Sequence, residues 1–274
     1  MNTRTHWEYV FIIGAMKAGT TTVFDWLAQH SAILPSISKE PHYFAENSTD
    51  QYCATTLDGV WPNVSDAHFR YRLEASTGYS KYPFEPDVPQ KICNAGLRPK
   101  FIYLVRDPIS RIESHYNFMK RRSYFNKSLT DAHLIYTSNY GLQLRQYLKY
   151  FNLRDFLVID FTMLALEPNK THRRIIDFLD LQFEPVASYQ AKNMTSQTNE
   201  ISLYLMNSHL RGLLKFLPRS LVQGTKAIAN HMFPVQEEFA YLTKQEVLDI
   251  KNRLRPDMHY FAEKTGFDVS QWGF

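Results

Sequence analysis

The residues able to do chemistry begin in Gly14-Ala15-Met16-Lys17-Ala18-Gly19-Thr20-Thr21-Thr22. Two glycines five positions apart, followed by hydroxyl side chains, nearly match the G-x-x-x-x-G-K-[ST] loop of nucleotide triphosphatases. The lysine is displaced: Thr20 stands at its position, and Lys17 lies inside the loop. Phosphate binding needs only backbone N–H groups and a helix dipole, so it survives the change. The displacement brings the Lys17 ammonium beside the phosphate and whatever group it carries. A second basic residue, Arg106, is followed eight positions later by Ser114. A guanidinium and a hydroxyl suit a second, separate phosphate. Taken singly, each feature also has a plain structural reading. These are a strand–turn–helix with an incidental lysine, an ion pair between Arg106 and a neighbouring carboxylate such as Asp107, and an exposed helix serine.

The elements that must position these residues are legible in outline. Tyr9–Ile13 is a continuous apolar run, as expected of a strand buried on both faces of a parallel sheet. From Thr20 the period becomes helical, with Val23, Phe24 and Leu27 on one face and an end expected near His30. Phe101–Val105 is a second strong strand and stops at Arg106. Asp107 then serves as an N-cap, and Pro108 fits the first helical position. Ile109, Ile112, Tyr116 and Met119 line one face of that helix, while Ser110 and Ser114 share another. Ligands gather at the carboxyl ends of parallel strands, so the Lys17 loop and Arg106 face one ligand.

The remaining chain continues the alternation. Pro35 and Pro41 punctuate a loop over Ser36–Phe44, and Phe69, Tyr71 and Leu73 alternate in a short strand ending at Glu74. Phe156–Ile159 is the third strong strand, and Pro168 opens a helix with Ile175, Ile176 and Leu179 on its apolar side. Thr243-Lys244-Gln245-Glu246 is a capping box. It starts a helix expected to halt at Pro256, with a second short helix ending at Gly266. Strands alternating with helices imply one α/β domain over residues 1–274, with a central, mainly parallel sheet flanked by helices.

Composition adds limits. The 274 residues are 44% hydrophobic and 15% aromatic, enough for a sizeable core. The formal charge of +4 suits an anionic small molecule and is too small and dispersed to argue for nucleic acid. Two cysteines, Cys53 and Cys93, read as reduced thiols rather than a disulfide framework. The histidines are scattered and no Cys/His spacing fits zinc, so no metal is expected. The N-terminal stretch lacks a hydrophobic signal core and no apolar run is long enough to span a membrane, so a cytoplasmic protein without membrane attachment is expected.

Together the two motifs resemble the sulfotransferases that use 3′-phosphoadenosine 5′-phosphosulfate. Tyr9–Thr22 resembles their 5′-phosphosulfate loop. Val105–Tyr116, an arginine followed eight positions later by serine, resembles their 3′-phosphate motif. Lys39-Glu40-Pro41-His42-Tyr43-Phe44 is similar to the acidic segment of the heparan sulfate and bacterial branches. The likeness covers most of the chain outside roughly 45–68 and 185–240, and implies a nucleotide-kinase-like fold.

The resemblance implies in-line transfer of a sulfuryl group, with adenosine 3′,5′-bisphosphate as product. Lys17 then follows the leaving phosphate oxygen as charge builds. Ala18, Gly19, Thr20, Thr21 and Thr22 hold the 5′-phosphate, and Arg106 with Ser114 holds the 3′-phosphate. Glu40 is the first choice of general base, His42 a substitute and Glu74 a third. Glu74 matches a Glu-Lys-Ser segment of the heparan branch, but Ala75 stands where the lysine would be, which departs from a heparan-type site. The acceptor is expected to be a small molecule, a bacterial natural product or toxin, offering a hydroxyl or amine. A glycan is the alternative. A kinase-like ATP phosphotransferase fits less well with the displaced lysine and the Arg106/Ser114 pair, and a non-catalytic nucleotide-binding regulator fits less well with Glu40 beside an intact loop. The irregular segments 45–68, 120–140 and 185–240 are expected to shape the acceptor pocket. The oligomeric state is not legible.

Overall fold

The protein is described from a computed structural model that covers residues 7–45, 56–64, 68–121, 126–189 and 239–274. Its elements in chain order are β1 (Glu8–Gly14), α1 (Thr20–Leu27), β2 (Ile33–Pro35), β3 (Tyr71–Glu74), α2 (Val88–Asn94), β4 (Lys100–Val105) and α3 (Pro108–Lys120). There follow α4 (Ala132–Thr137), α5 (Tyr140–Tyr147), β5 (Phe156–Asp160), α6 (Phe161–Leu166), α7 (Pro168–Phe178) and α8 (Lys244–Thr265).

The five strands form one sheet in the order β2-β3-β1-β4-β5, every neighbouring pair parallel. The central strand is β1, with Phe11 opposite Glu74 of β3 and Phe101 of β4. Residues 10–13 and 101–105 have no solvent exposure, so the two apolar runs are buried on both faces, as helices covering a parallel sheet require. The core beside β4 is aromatic: Phe101 stacks on Phe156 at 4.6 Å between centroids, with Tyr147 at 5.1 Å and Phe11 at 6.3 Å. Because the strands run the same way, β1, β3, β4 and β5 all end at one edge. That edge receives the Lys17 loop, residues 75–80, Arg106 and α6.

The expected parallel sheet is found, parallel throughout its described strands. Four expectations change. Pro35 ends the short strand β2 instead of punctuating a loop. An edge strand tolerates proline because one side of its backbone needs no partner. Helix α1 ends at Leu27, before His30, whose ring meets the Gln182 carbonyl at 2.9 Å. The buried side of α3 is Ile112 with Arg111, His115 and Asn117, because this helix packs on polar groups of the loop and α4 rather than on an apolar wall.

The fourth change concerns Pro256. It lies inside α8, a single helix of 22 residues capped by Gly266, rather than between two helices. Proline costs an interior helix about 3 kcal/mol through a lost hydrogen bond and a clash. Four buried side chains, Ile250, Leu254, Met258 and Phe261, outweigh it at about 1.5–3 kcal/mol each. Asp257 also pins the middle of α8: Asn139 Nδ2 donates to Oδ2 and Arg145 Nη2 to Oδ1, both at 2.8 Å.

Candidate active site

The loop after β1 is shaped by backbone contacts. Ala15 N–H donates to the Leu104 carbonyl at 2.6 Å, and Ala18 N–H to the Ala15 carbonyl at 3.1 Å. Lys17 takes φ 69° and Gly19 φ 90°, and Gly19 begins α1 without a side-chain cap. The first turn of α1 is thus left for a ligand, as anion sites at helix N-termini require. A Cβ on Gly19 would lie 2.4 Å from Leu164 Cδ2 and 3.3 Å from Phe161 Cδ2, so α6 holds the loop from below. Only glycine combines that φ with that approach.

Arg106 leaves the end of β4 and reaches this loop. Its Nη1 donates to the Lys17 carbonyl at 3.3 Å, and its guanidinium lies 4.8 Å over the Phe161 ring. The Tyr140 hydroxyl fixes its backbone, accepting from Arg106 N–H at 3.2 Å and donating to its carbonyl at 2.5 Å. Asp107 caps α3 by accepting from Ser110 N–H at 2.8 Å. Ser114 is half-buried on α3, and no hydrogen bond joins it to Arg106.

The Lys17 ammonium lies 4.5 Å from the Phe118 ring centroid. Its pKa is lowered by burial and then by Arg106 and Arg121. Burial also lowers Arg106. Cations crowded and partly desolvated around an open helix start fit an anionic phosphate, whose charge relieves their repulsion.

The 39–42 segment closes the other side. Lys39 Nζ reaches Thr20 Oγ1 at 3.4 Å and Glu40 Oε1 at 2.5 Å, tying the carboxylate to the start of α1. Glu40 Oε2 accepts from Thr77 Oγ1 at 2.8 Å and lies 3.3 Å from His42 Nε2. Burial alone would raise the Glu40 carboxyl. Hydrogen bonds and charge from His42 and Lys39 outweigh it and hold the group well below the usual carboxylate range. His42 sits at φ 52° with its N–H donating to Ser76 Oγ at 3.0 Å.

Glu74 lies deeper, 1% exposed at the end of β3, with Ser76 Oγ 3.5 Å from Oε2. Burial pushes it up to about 8, against hydrogen bonding from Tyr79 and Ser76 and reinforced by the negative charge of Glu40.

Lys17, Thr20, Arg106, Glu40 and His42 are thereby gathered at one edge, with Glu74 behind them. Three contributors were not picked out from the sequence: Thr77, which holds Glu40; Lys39, quoted there only as part of the 39–44 segment; and Arg111, whose Nη1 reaches the Met16 carbonyl at 3.4 Å. Of these, only the basic residue beside Glu40 carried a local signal. Among the described residues no group of three or more His, Cys, Asp or Glu is placed to hold a metal, and no helix is long and apolar enough to cross a membrane. Cys93 is a free thiol; Cys53 lies outside the described residues, as do most of 45–55 and 190–238, which fall in segments expected to shape the acceptor pocket.

A parallel sheet with a phosphate-type loop at its carboxyl edge defines a nucleotide-binding α/β protein of the kinase-like kind. The sequence matches the sulfotransferase domain over residues 8–265, and the chain belongs to that family. A mouse protein, heparan sulfate glucosamine 3-O-sulfotransferase 5, is 27% identical over 188 residues, covering 62% of this chain and 52% of its own. Human heparan sulfate glucosamine 3-O-sulfotransferase 3B1 is 29% identical over 185 residues, covering 62% and 45%. The chain thus spans about half the length of these curated relatives. A sulfotransferase structure from Alicyclobacillus acidocaldarius superposes with a TM-score of 0.68 at 18% identity, covering 97% of this chain and 99% of its own, and shares the fold.

Proposed function

We propose that this domain transfers a sulfuryl group from 3′-phosphoadenosine 5′-phosphosulfate to a hydroxyl or amine of an acceptor. One observation carries the reading: Lys39 bridges Thr20 of the cradle and Glu40, so a carboxylate is tethered at the mouth of a phosphate-type loop. The donor supplies an activated sulfuryl group on a phosphate leaving group. Backbone amides of residues 18–21 and the threonine hydroxyls hold its 5′-phosphate. Arg106 and Ser114 take the 3′-phosphate, the feature that separates this donor from ATP.

Lys17 donates a hydrogen bond to the bridging oxygen as charge develops there, an interaction strongest in the transition state. Glu40 is ionised at neutral pH and takes the acceptor proton, while His42 and Thr77 hold it in place. Glu74 is buried behind Ser76 and Tyr79, which favours Glu40 over Glu74 as the group that meets the acceptor. His42 is kept as the substitute base. The acceptor is read as a small molecule met in the cytoplasm, with natural-product tailoring as its setting. A glycan acceptor is the second reading, favoured by the names of the relatives at 27–29% identity.

Calorimetry with adenosine 3′,5′-bisphosphate against ADP–magnesium tests the donor. Tight binding of the first and none of the second is expected; the reverse refutes sulfotransfer in favour of kinase-like chemistry. Turnover of the donor against small phenols, amines and glycosaminoglycan oligosaccharides then assigns the acceptor class.

A further inference from the structure

Arg111 has no solvent exposure. Its Nε donates to Ser138 Oγ and its Nη2 to the Leu134 carbonyl, both at 2.6 Å. Nη1 reaches the Met16 carbonyl at 3.4 Å and His115 Nδ1 at 3.1 Å. Every partner is neutral. Burial, and then the charge of Arg111 itself, lowers His115 well below the usual histidine range, so that ring is uncharged and Nδ1 accepts. Burial also lowers the guanidinium, to about 10, which leaves it charged at neutral pH.

A buried cation without a counter-anion costs several kcal/mol. A tether alone does not need that charge, because a neutral amide could bond the same carbonyls. Among the described residues no carboxylate pairs with Arg111. The one structure it props that is built for an anion is the cradle, held through Met16, the residue before Lys17.

We propose that Arg111 is a positioning residue of the donor site. Its fork holds the Met16–Lys17 turn against α4, and its charge is balanced by the phosphosulfate of the bound donor in place of a protein carboxylate. This rests on the donor reading above.

Calorimetry with adenosine 3′,5′-bisphosphate, alongside steady-state kinetics and thermal denaturation, tests it. If the wild-type protein fails to bind the bisphosphate, the donor reading itself falls. Given wild-type binding, Arg111→Gln is expected to raise Kd about 30-fold, the scale of one lost charge-assisted interaction, with the acceptor KM unchanged. Arg111→Lys keeps the charge without the fork and is expected to recover most of that loss, leaving Kd about three- to tenfold above wild type. A folded Arg111→Gln that binds as wild type, or an Arg111→Lys that binds no tighter than Arg111→Gln, overturns the inference. Should Arg111→Gln not fold, the lysine variant decides: an unchanged Kd, or a rise in acceptor KM instead, refutes the role.

Discussion

Replacing Glu40 by glutamine removes the proposed base and its ion pair with Lys39 while leaving the shape of the side chain. Thr77 Oγ1 at 2.8 Å and His42 Nε2 at 3.3 Å both address Oε2, and a glutamine carbonyl oxygen can keep both contacts. The amide nitrogen then faces Lys39, whose ammonium retains Thr20 Oγ1 at 3.4 Å. Losing the carboxylate charge and its hydrogen bond from Lys39 should cost folding about 1–3 kcal/mol at neutral pH, while bisphosphate affinity should hold nearly at wild type. Losing a positioned general base lowers kcat about 10²–10⁴-fold, or about 3–5 kcal/mol of barrier. The assay is kcat at saturating donor for any acceptor the wild type turns over, paired with bisphosphate calorimetry. The acid side of kcat/KM checks the same group. Its folded pKa lies below the ordinary 4.5, so its ionised form, and the stability it contributes, persist above the unfolded value and are lost only as pH falls through the folded one. The wild-type acid limb should accordingly lie below pH 4.5. A Glu40→Gln enzyme with kcat within about threefold of wild type refutes the assignment, since general-base loss on this scale cannot hide there. Loss of turnover in His42→Gln beside an active Glu40→Gln moves the role to His42.

Three further outcomes are expected. Lys17→Ala abolishes turnover while thermal stability stays within about 1 kcal/mol of wild type, because the residue is exchanged at a left-handed turn rather than in the core; kcat and melting temperature check it. Gly19→Ala meets Leu164 Cδ2 at 2.4 Å in a backbone at φ 90°, and should cost about 2–5 kcal/mol in denaturant unfolding together with bisphosphate binding. For Glu74 the folded pKa of about 8 is raised above the ordinary 4.5, so stability falls as pH rises from the lower value towards the higher. Glu74→Gln should therefore stabilise the protein by about 3 kcal/mol at pH 7 and flatten that slope, read as melting temperature against pH.

Much of the fold was legible because it rests on local rules. Runs of consecutive apolar residues over 10–13 and 101–105 have few uses except as strands covered on both faces. Asp107-Pro108 and the Thr243–Glu246 box act within one helical turn, and both caps form as read. Pro256 was misread for the converse reason. Local propensity breaks a helix there, but Asn139 and Arg145 on or beside α5 hold Asp257, and nothing near Pro256 announces them. The apolar face assigned to α3 missed Arg111 and His115 because a buried polar side needs polar partners, and those of Arg111 at Leu134, Ser138 and Met16 lie 23, 27 and 95 residues away.

The sequence by itself determined that a lysine sits inside a glycine-bounded loop between a buried strand and a hydroxyl-rich helix. It determined too that an arginine ends the next strong strand, since strand ends and helix caps are written in neighbouring residues. Only the tertiary structure decided what those residues meet. Parallel strand order brings the 14–19 loop, Arg106 and residues 74–80 to one edge. There Lys39 links Thr20 to Glu40, His42 and Lys39 hold the carboxylate ionised, and burial holds Glu74 protonated. Glu40 and Glu74 are alike as residue types. Desolvation and hydrogen bonding, which exist only once the chain is packed, set them apart.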